Sequence, residues 1–423
     1  MKTKKRIDEV RIIIINHYAG SPHHGMAYRP YYLAREWVRT GHDVRILAAS
    51  FSHVRSKQAT EEGKPLKHRS IEYIDDIKYV WYPVPSYKGN GSRRVLNIWS
   101  FFRQVWVDAR RLIAEARPDV VIASSTYPFD IWIAKRIAFI AKAKLVYEVH
   151  DLWPLSPIEL GGMSPRHPFI QLCQWAENTA YRDADVVISM LPKVHGHMVE
   201  HGLDLRKLHI IPNGISMDDW QCEKQVLTGE LAEYIKSAHE RAYMIVGYAG
   251  SHGVPNALDN LLDAAKLLKN KMIQFVLVGD GHEKPRLQRR VADEAINNVH
   301  MFAPIAKSQI PSLLCTFDVA YLGAPKSPIY RFGVSPNKLV DYMMAGIPVL
   351  YAIEAGNDMV AETGCGFSVG PNNPQALVAA IEKCLTMSQA ERTQMGCRGQ
   401  QVVSDNFTYP VLASAFLKCL GDQ

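Results

Sequence analysis

The feature that most constrains this chain is a rhythm. Short, β-branched apolar runs alternate with stretches of helical spacing. "VRIIIINH" leads into "YRPYYLAREWVRTGH" and then "DVRILAAS", while "PDVVIASS" leads into "FDIWIAKRIAFIAKA" and "KLVYEVHD". "ADVVISM", "HIIPNGI", "YMIVGYAG", "IQFVLVGDG", "FDVAYLGA" and "GIPVLYAI" follow, with stretches such as "ALDNLLDAAKLLKN" between many of them. Continuous apolar runs of this length fit strands buried on both faces, and their alternation with helices predicts βαβ units and parallel sheets. The rhythm restarts after "IIPNGISMDDW", where "QCEKQVLTGELAEYIKSAHERA" reads as polar and helical. At 423 residues the chain exceeds one ordinary core. The expectation is therefore an α/β protein of two doubly wound domains, divided between residues 195 and 220. A cleft between two such halves is a place for two substrates to meet.

Composition narrows the class. Apolar residues make up 47% and charged residues 22%, which is ordinary for a globular chain. The seven cysteines are scattered and form no CxxC pair, so reduced thiols in a cytoplasm are expected. "MKTKKRIDEV" lacks the apolar centre of a signal peptide, and no apolar run is long enough to span a bilayer. The net charge is +7, with much of the excess in the first half. Those cations fit a solvated surface or a face for anionic lipid heads. Around "FFRQVWVDARRLIAEA" apolar residues fall at helical spacing with arginine between them. This suits an interfacial helix as well as a plain surface helix. No nucleic-acid reading motif accompanies the basic residues.

In parallel α/β sheets ligands bind beyond the carboxyl ends of the strands, so the residues after each run are the candidates. After the first run, "NHYAGSPHHGMAYRP" places Gly25 in a loop entering a helix, where free amides can meet an oxygen anion. It is not GxGxxG, which removes the dinucleotide fingerprint and leaves little for a dehydrogenase. "YEVHDLWP" sets His150 and Asp151 side by side where the chain leaves the sheet. There a histidine can exchange a hydrogen bond with a hydroxyl, or simply anchor its loop. "VGYAGSHGVPN" gives the small residues Gly250, Ser251 and Gly253, which admit close backbone approach to an anion. In "FVLVGDGHEKPRL", Asp280 and Arg286 are ligand candidates, although Asp280 also suits a turn.

"SPIYRFGVSPNKLVDYMMAGIPVL" concentrates more signals than any other stretch. Ser335 reads as an N-cap and Pro336 as the first helical residue, which places Asn337 and Lys338 in the first turn beside unpaired amides. A diphosphate there would meet amides and an ammonium together, and Arg331 would add a fork of donors. Asp341, three residues beyond Lys338, is placed on the same helix face and suits a ribose diol. The alternative is a surface Lys338–Asp341 ion pair.

These residues resemble the retaining glycosyltransferases of family 4, which have the GT-B fold of two Rossmann-like domains facing a cleft. The likeness rests on "RTGHDVRIL", "EVHDLWP", "IIPNGI", "VGDG" and "SPNKLVDYMMAGIPVL" in that order, and spans nearly the whole chain. The last motif is closest to a bacterial subgroup that includes N-acetylfucosaminyltransferases of surface-polysaccharide assembly. The resemblance implies an N-terminal acceptor domain over 1–205, a nucleotide-sugar domain over 206–405, and a closing helix over 406–423 that returns to the first domain. It implies that Asp341 binds the ribose, that Lys338 and the amides of 335–337 lie near the diphosphate, and that 250–253 lie below the phosphates. His150 then touches the transferred sugar, and Gly25 belongs to a loop near the donor phosphates. Two departures stand out. Gly333 occupies the position of the family's usual first acid, and the loop 250–256 lacks its usual cations.

The implied reaction moves a sugar from a nucleoside diphosphate to a hydroxyl with retention, and Arg331, Lys338 and helix-start amides receive the leaving diphosphate. His150, Asp151 and Lys338 are the candidate catalytic residues. No cofactor and no metal is expected, since no DxD clamp presents itself. The donor implied by the resemblance is a UDP-sugar carrying an N-acetylated hexosamine or deoxyhexosamine. The implied acceptor is polyprenyl-diphosphate-linked or a saccharide, met in the cytoplasm at the inner membrane face. A UDP-sugar 2-epimerase of the same fold and a catalytically degenerate partner subunit are the competing readings.

Overall fold

The computed structural model describes residues 9–25, 29–89, 91–221 and 225–421. It divides into two compact units, Met1–Pro212 with Tyr409–Gln423, and Asn213–Thr408.

The first unit is built on β1 (Arg11–Ile15), β2 (Asp43–Ala49), β3 (Ser70–Ile74), β4 (Ile77–Tyr82), β5 (Val120–Ala123), β6 (Lys144–Val149), β7 (Val186–Ser189) and β8 (Leu208–Ile210). They form one sheet in the order β8-β7-β6-β5-β1-β2-β4-β3. Every neighbouring pair is parallel except β3–β4. That hairpin is an addition to the expected parallel sheet. It turns through Asp75 and Asp76, both at positive φ (47° and 62°), as a tight primed hairpin turn requires. The helices α1 (Arg29–Arg39), α2 (Ser92–Ala116), α3 (Asp130–Ala141) and α4 (Pro168–Asp183) fill the crossovers. The helix Tyr409–Gly421 belongs to this unit. It packs on α1, where the Trp37 indole donates to the Ala413 carbonyl at 3.0 Å and the Tyr32 and Tyr409 rings stack at 4.7 Å. The apolar faces of both helices disappear into the core with Trp37 and Phe416 fully buried.

The second unit is a six-stranded parallel sheet of β9 (Met244–Ala249), β10 (Ile273–Val278), β11 (Val299–Phe302), β12 (Val319–Gly323), β13 (Val349–Ala352) and β14 (Gly366–Ser368), in the order β11-β10-β9-β12-β13-β14. Its strands feed two cores by period-two alternation. Ile245, Ala249, Val276 and Tyr351 enter one, while Val246, Tyr248, Leu277 and Leu350 enter the other. This double burial is why the strands read as unbroken apolar runs. Helices α5 (Leu258–Leu267), α6 (Lys284–Asp293) and α7 (Asn337–Met344) follow β9, β10 and β12. Among the described residues of the polar stretch expected to be helical after the restart, a sustained helix forms over Gly229–Glu240; Gly229 itself sits at φ 73°.

Candidate active site

In the second unit the chain end of β9 and the start of α7 come together. Gly250 leaves β9 with its amide donating to the Val278 carbonyl at 2.9 Å. Its φ of 145° favours glycine, and any Cβ there would collide with the Lys338 side chain. Lys338 thus lies across the loop 250–256. Its ammonium donates to the Tyr248 hydroxyl at 3.0 Å and to Asn256 Oδ1 at 2.5 Å, and sits 5.0 Å from the Tyr248 ring centre. Burial lowers its pKa to about 8. α7 starts at Asn337 with no side-chain cap, so its first amides and this ammonium present one positive surface. The β9 and β10 loops are knitted by the backbone. His252 N–H donates to the Asp280 carbonyl at 2.8 Å, and Glu283 N–H donates to the His252 carbonyl at 3.0 Å.

Other predicted residues take different positions. Ser335 is not the N-cap, because Pro336 holds that position in extended conformation. The Ser335 hydroxyl instead accepts the Asn213 amide at 2.9 Å, and its carbonyl accepts the Asn213 side chain at 2.8 Å. Asp341 does not pair with Lys338. Its carboxyl is surrounded by Trp220, Asp219 and Lys307, and burial raises its pKa to about 7, with Asp219 adding to the rise while Lys307 and a Trp220 hydrogen bond oppose it. A three-residue step along the helix is enough to send the two side chains to different neighbours. Asp280 makes a turn, its carboxylate accepting the Gly281 amide at 2.8 Å. Arg286 is held on α6 by Asp259 and Glu283, which draws it away from a ligand role. Arg331 is exposed, lies over the Phe332 ring at 4.2 Å and donates to the Pro328 carbonyl at 2.6 Å. Ser251 is exposed and Gly253 buried, both within the Lys338 loop. Gly333 has φ 89°, a backbone shape that disfavours an acidic side chain at that position.

In the first unit His150 ends β6 within a buried polar network. Glu148 Oε1 accepts from Arg29 Nε at 3.0 Å, and Glu148 Oε2 accepts from the Ser124 hydroxyl at 2.6 Å. His150 Nε2 lies 3.0 Å from Ser124 Oγ and 3.3 Å from Glu148 Oε2. Arg29 spends its other nitrogens on the carbonyls of Pro212 (2.5 Å) and Ile211 (2.9 Å). Burial alone would raise the Glu148 pKa, but the Arg29 guanidinium, His150 and Ser124 outweigh it and hold the carboxyl well below its usual range. Asp130, at the start of α3, is fully buried, and burial raises its pKa to about 7 against the Ser125 hydrogen bonds and His150. Asp151 is exposed. Gly25 holds φ 69° against Ser56, where a side chain would collide.

Sequence reasoning missed Glu148, Ser124 and Arg29. An acid in the middle of the apolar run "KLVYEVHD" was the available signal, because a lone carboxylate in a strand buried on both faces must have a partner. It also missed His252, which is fully buried with neither ring nitrogen hydrogen-bonded and is pushed by burial to a pKa of about 4. Among the described residues, Glu177, His197 and His201 bring potential metal ligands within 4.8 Å of one another. The His197 and His201 rings are tilted by 38° with their centres 4.3 Å apart, and Glu177 already accepts from Tyr181 and Gln174. The group thus reads as a hydrogen-bonded cluster.

Comparison with known proteins bears on the fold and the class of reaction. A glycosyl transferase 4-like domain model matches residues 24–214, and a glycosyl transferases group 1 model matches 244–387. The two matches follow one another in that order along the chain. It is 24% identical over 325 residues to a Pseudomonas aeruginosa protein named as glycosyltransferase WbjE, covering 75% of this chain and 78% of the relative. It is 23% identical over 365 residues to WcaI of Escherichia coli K12, named as a colanic acid biosynthesis glycosyl transferase, covering 83% and 86%. The HepE protein of Anabaena, solved with UDP and glucose, superposes with a TM-score of 0.66 at 17% identity, covering 98% of this chain and 100% of that one. The fold is GT-B.

Proposed function

We propose that this chain, a two-domain glycosyltransferase of the GT-B fold, is a retaining, metal-independent enzyme. It moves an N-acetylated hexosamine or deoxyhexosamine from a UDP-sugar to a lipid-linked acceptor in bacterial surface-polysaccharide assembly. The observation that carries the reading is Lys338, held over the Gly250 loop beside the uncapped start of α7. When the anomeric bond breaks, its electron pair stays on the leaving oxygen and adds one negative charge to the departing diphosphate. The ammonium and the amides are already aimed and partly desolvated, so they stabilise that charge without reorganising. Asp341, once ionised, accepts both hydroxyls of the ribose. His150, oriented through Ser124 and Glu148, holds a sugar hydroxyl in the first unit. The complex of HepE with UDP and glucose supports UDP as the nucleotide, and the name of WcaI supports the polysaccharide context.

The test is a panel of UDP-sugars scored for UDP release in the presence of chelator, with and without Lys338→Ala. The reading expects one N-acetylated donor to stand out, chelator to have no effect, and the variant to bind that donor at least about tenfold more weakly. Unchanged donor affinity and turnover in the variant would sink it.

A further inference from the structure

The first unit carries an aromatic surface that its own core does not use. On α2, the Trp99 and Phe102 rings stack at 5.3 Å, and Phe102 continues to Trp106 at 5.7 Å. Phe102 reaches Trp132 on α3 at 6.4 Å, and Trp132 reaches Trp175 on α4 at 5.0 Å. These rings line an open groove of about 590 Å³ that crosses three helices. Trp99, Trp175 and Phe139 are 58%, 61% and 83% exposed. Val95, Leu96, Ile140 and Leu172 add exposed aliphatic side chains on the same helices. Folded chains rarely leave so much contiguous apolar area in water unless something covers it.

The charges around the groove indicate what covers it. Its lining includes the cations Lys135, Arg136 and Arg182 and no acid. Arg136 lies 4.5 Å from the Trp106 ring centre. Asp183, outside the lining, is shared by Lys135 at 2.6 Å and Arg182 at 2.7 Å, so one acid answers two cations. Arg103 and Lys142 are further exposed cations on or next to these helices. Tryptophan with lysine and arginine is the composition of a surface that sits at the boundary between headgroups and acyl chains. No helix among the described residues is long and apolar enough to cross a membrane, so contact of this kind lies in the plane of the interface.

We infer that α2, α3 and α4 form a docking face for an anionic bilayer, with Trp99, Phe139 and Trp175 entering the interface and the cations meeting lipid phosphates. This deepens the proposed use of a lipid-linked acceptor and rests on that reading for its purpose.

The experiment sediments the full chain with phosphatidylcholine vesicles, with or without phosphatidylglycerol. The protein should pellet with the anionic vesicles at low salt and be released by high salt. Its tryptophan emission should shift to the blue on binding. Phe139→Ser with Trp175→Ser should lower the bound fraction at least about fivefold, and Lys135→Ser with Arg182→Ser should lower it by about fivefold or more on anionic vesicles only. Circular dichroism and UDP-sugar hydrolysis should be unchanged in both variants. Failure to pellet at low salt, or equal pelleting of the variants, overturns the inference. A dimer dispersed by Phe139→Ser and Trp175→Ser, without vesicle binding, also overturns it by assigning the face to a second copy. Vesicle binding by a chain that hydrolyses no UDP-sugar upholds the face while refuting the proposed donor chemistry.

Discussion

The two units hold their charges in opposite ways. Around His150 the polar groups close on themselves: Arg29 fills its donors with Glu148 and two carbonyls, and Glu148 fills its oxygens with Arg29, Ser124 and His150. Around Lys338 the start of α7 has no cap and the cation leans on neutral partners, Tyr248 and Asn256. The first arrangement is complete without a ligand. The second is electrostatically incomplete until an anion arrives. Substitutions at the first should therefore register in folding, and substitutions at the second in binding.

The largest effect is expected where that closure is broken. Arg29→Met leaves Glu148 buried and charged with its main partner gone, at a cost of about 3–5 kcal/mol. Urea unfolding of the variant measures this, and Arg29→Met combined with Glu148→Gln should recover most of the loss. If the single and double variants are equally destabilised, the network does not close on itself.

Lys338→Met should do the reverse. A desolvated cation is removed, so stability should hold or rise slightly, whereas the affinity for donor should fall by about 2–4 kcal/mol. Calorimetry with UDP separates the two outcomes from the thermal melt. A variant that melts early but binds UDP normally would erase the contrast between the units.

Gly250→Ala lies between these extremes. It forces a side chain onto a φ of 145° and into Lys338, at about 1–3 kcal/mol of strain. Because the strain is relieved most easily by moving Lys338, donor affinity should fall together with the melting temperature. An unchanged UDP affinity would mean that Lys338 does not need its present place.

How much of this was legible follows from distance along the chain. Strands buried on both faces announce themselves as apolar runs, so most of the two sheets could be read directly, while the short strands β11 and β14 at the edges of the second sheet could not. The β3–β4 hairpin could not, because "SIEYI" is short and half polar and its turn, Asp75–Asp76, lacks glycine. Gly250 and its loop were legible because they stand just after a strand, and Lys338 because it stands in the first turn of a helix. The role of Ser335 was not, because its partner Asn213 is 122 residues away and a hydroxyl before a proline looks locally like a cap. Glu148 and Arg29 are 119 residues apart, and nothing in either neighbourhood names the other.

The pH dependence sharpens the account of the second unit. Lys338 titrates near about 8 and binds phosphate as the ammonium, so donor affinity should fall as pH rises through that value. Asp341 titrates near about 7 and accepts the ribose hydroxyls as the carboxylate, so affinity should fall as pH drops below it. UDP affinity should thus peak between about 7 and 8, with slopes approaching tenfold per pH unit on either side. Lys338→Met should flatten only the alkaline limb and Asp341→Asn only the acid limb.

The smallest effect concerns Arg286. It is tied to Asp259 and Glu283 on an exposed helix surface, and pairs of that kind contribute about 0–1 kcal/mol. Arg286→Ala should shift stability within that range and leave UDP affinity untouched, because a guanidinium already shared by two carboxylates has little to offer a diphosphate. A loss of UDP binding beyond about threefold, measured beside Lys338→Met, would show that the ion pairs open when donor arrives. The positive surface of the second unit would then extend from the start of α7 to α6, and its electrostatic incompleteness would be shared between two helices.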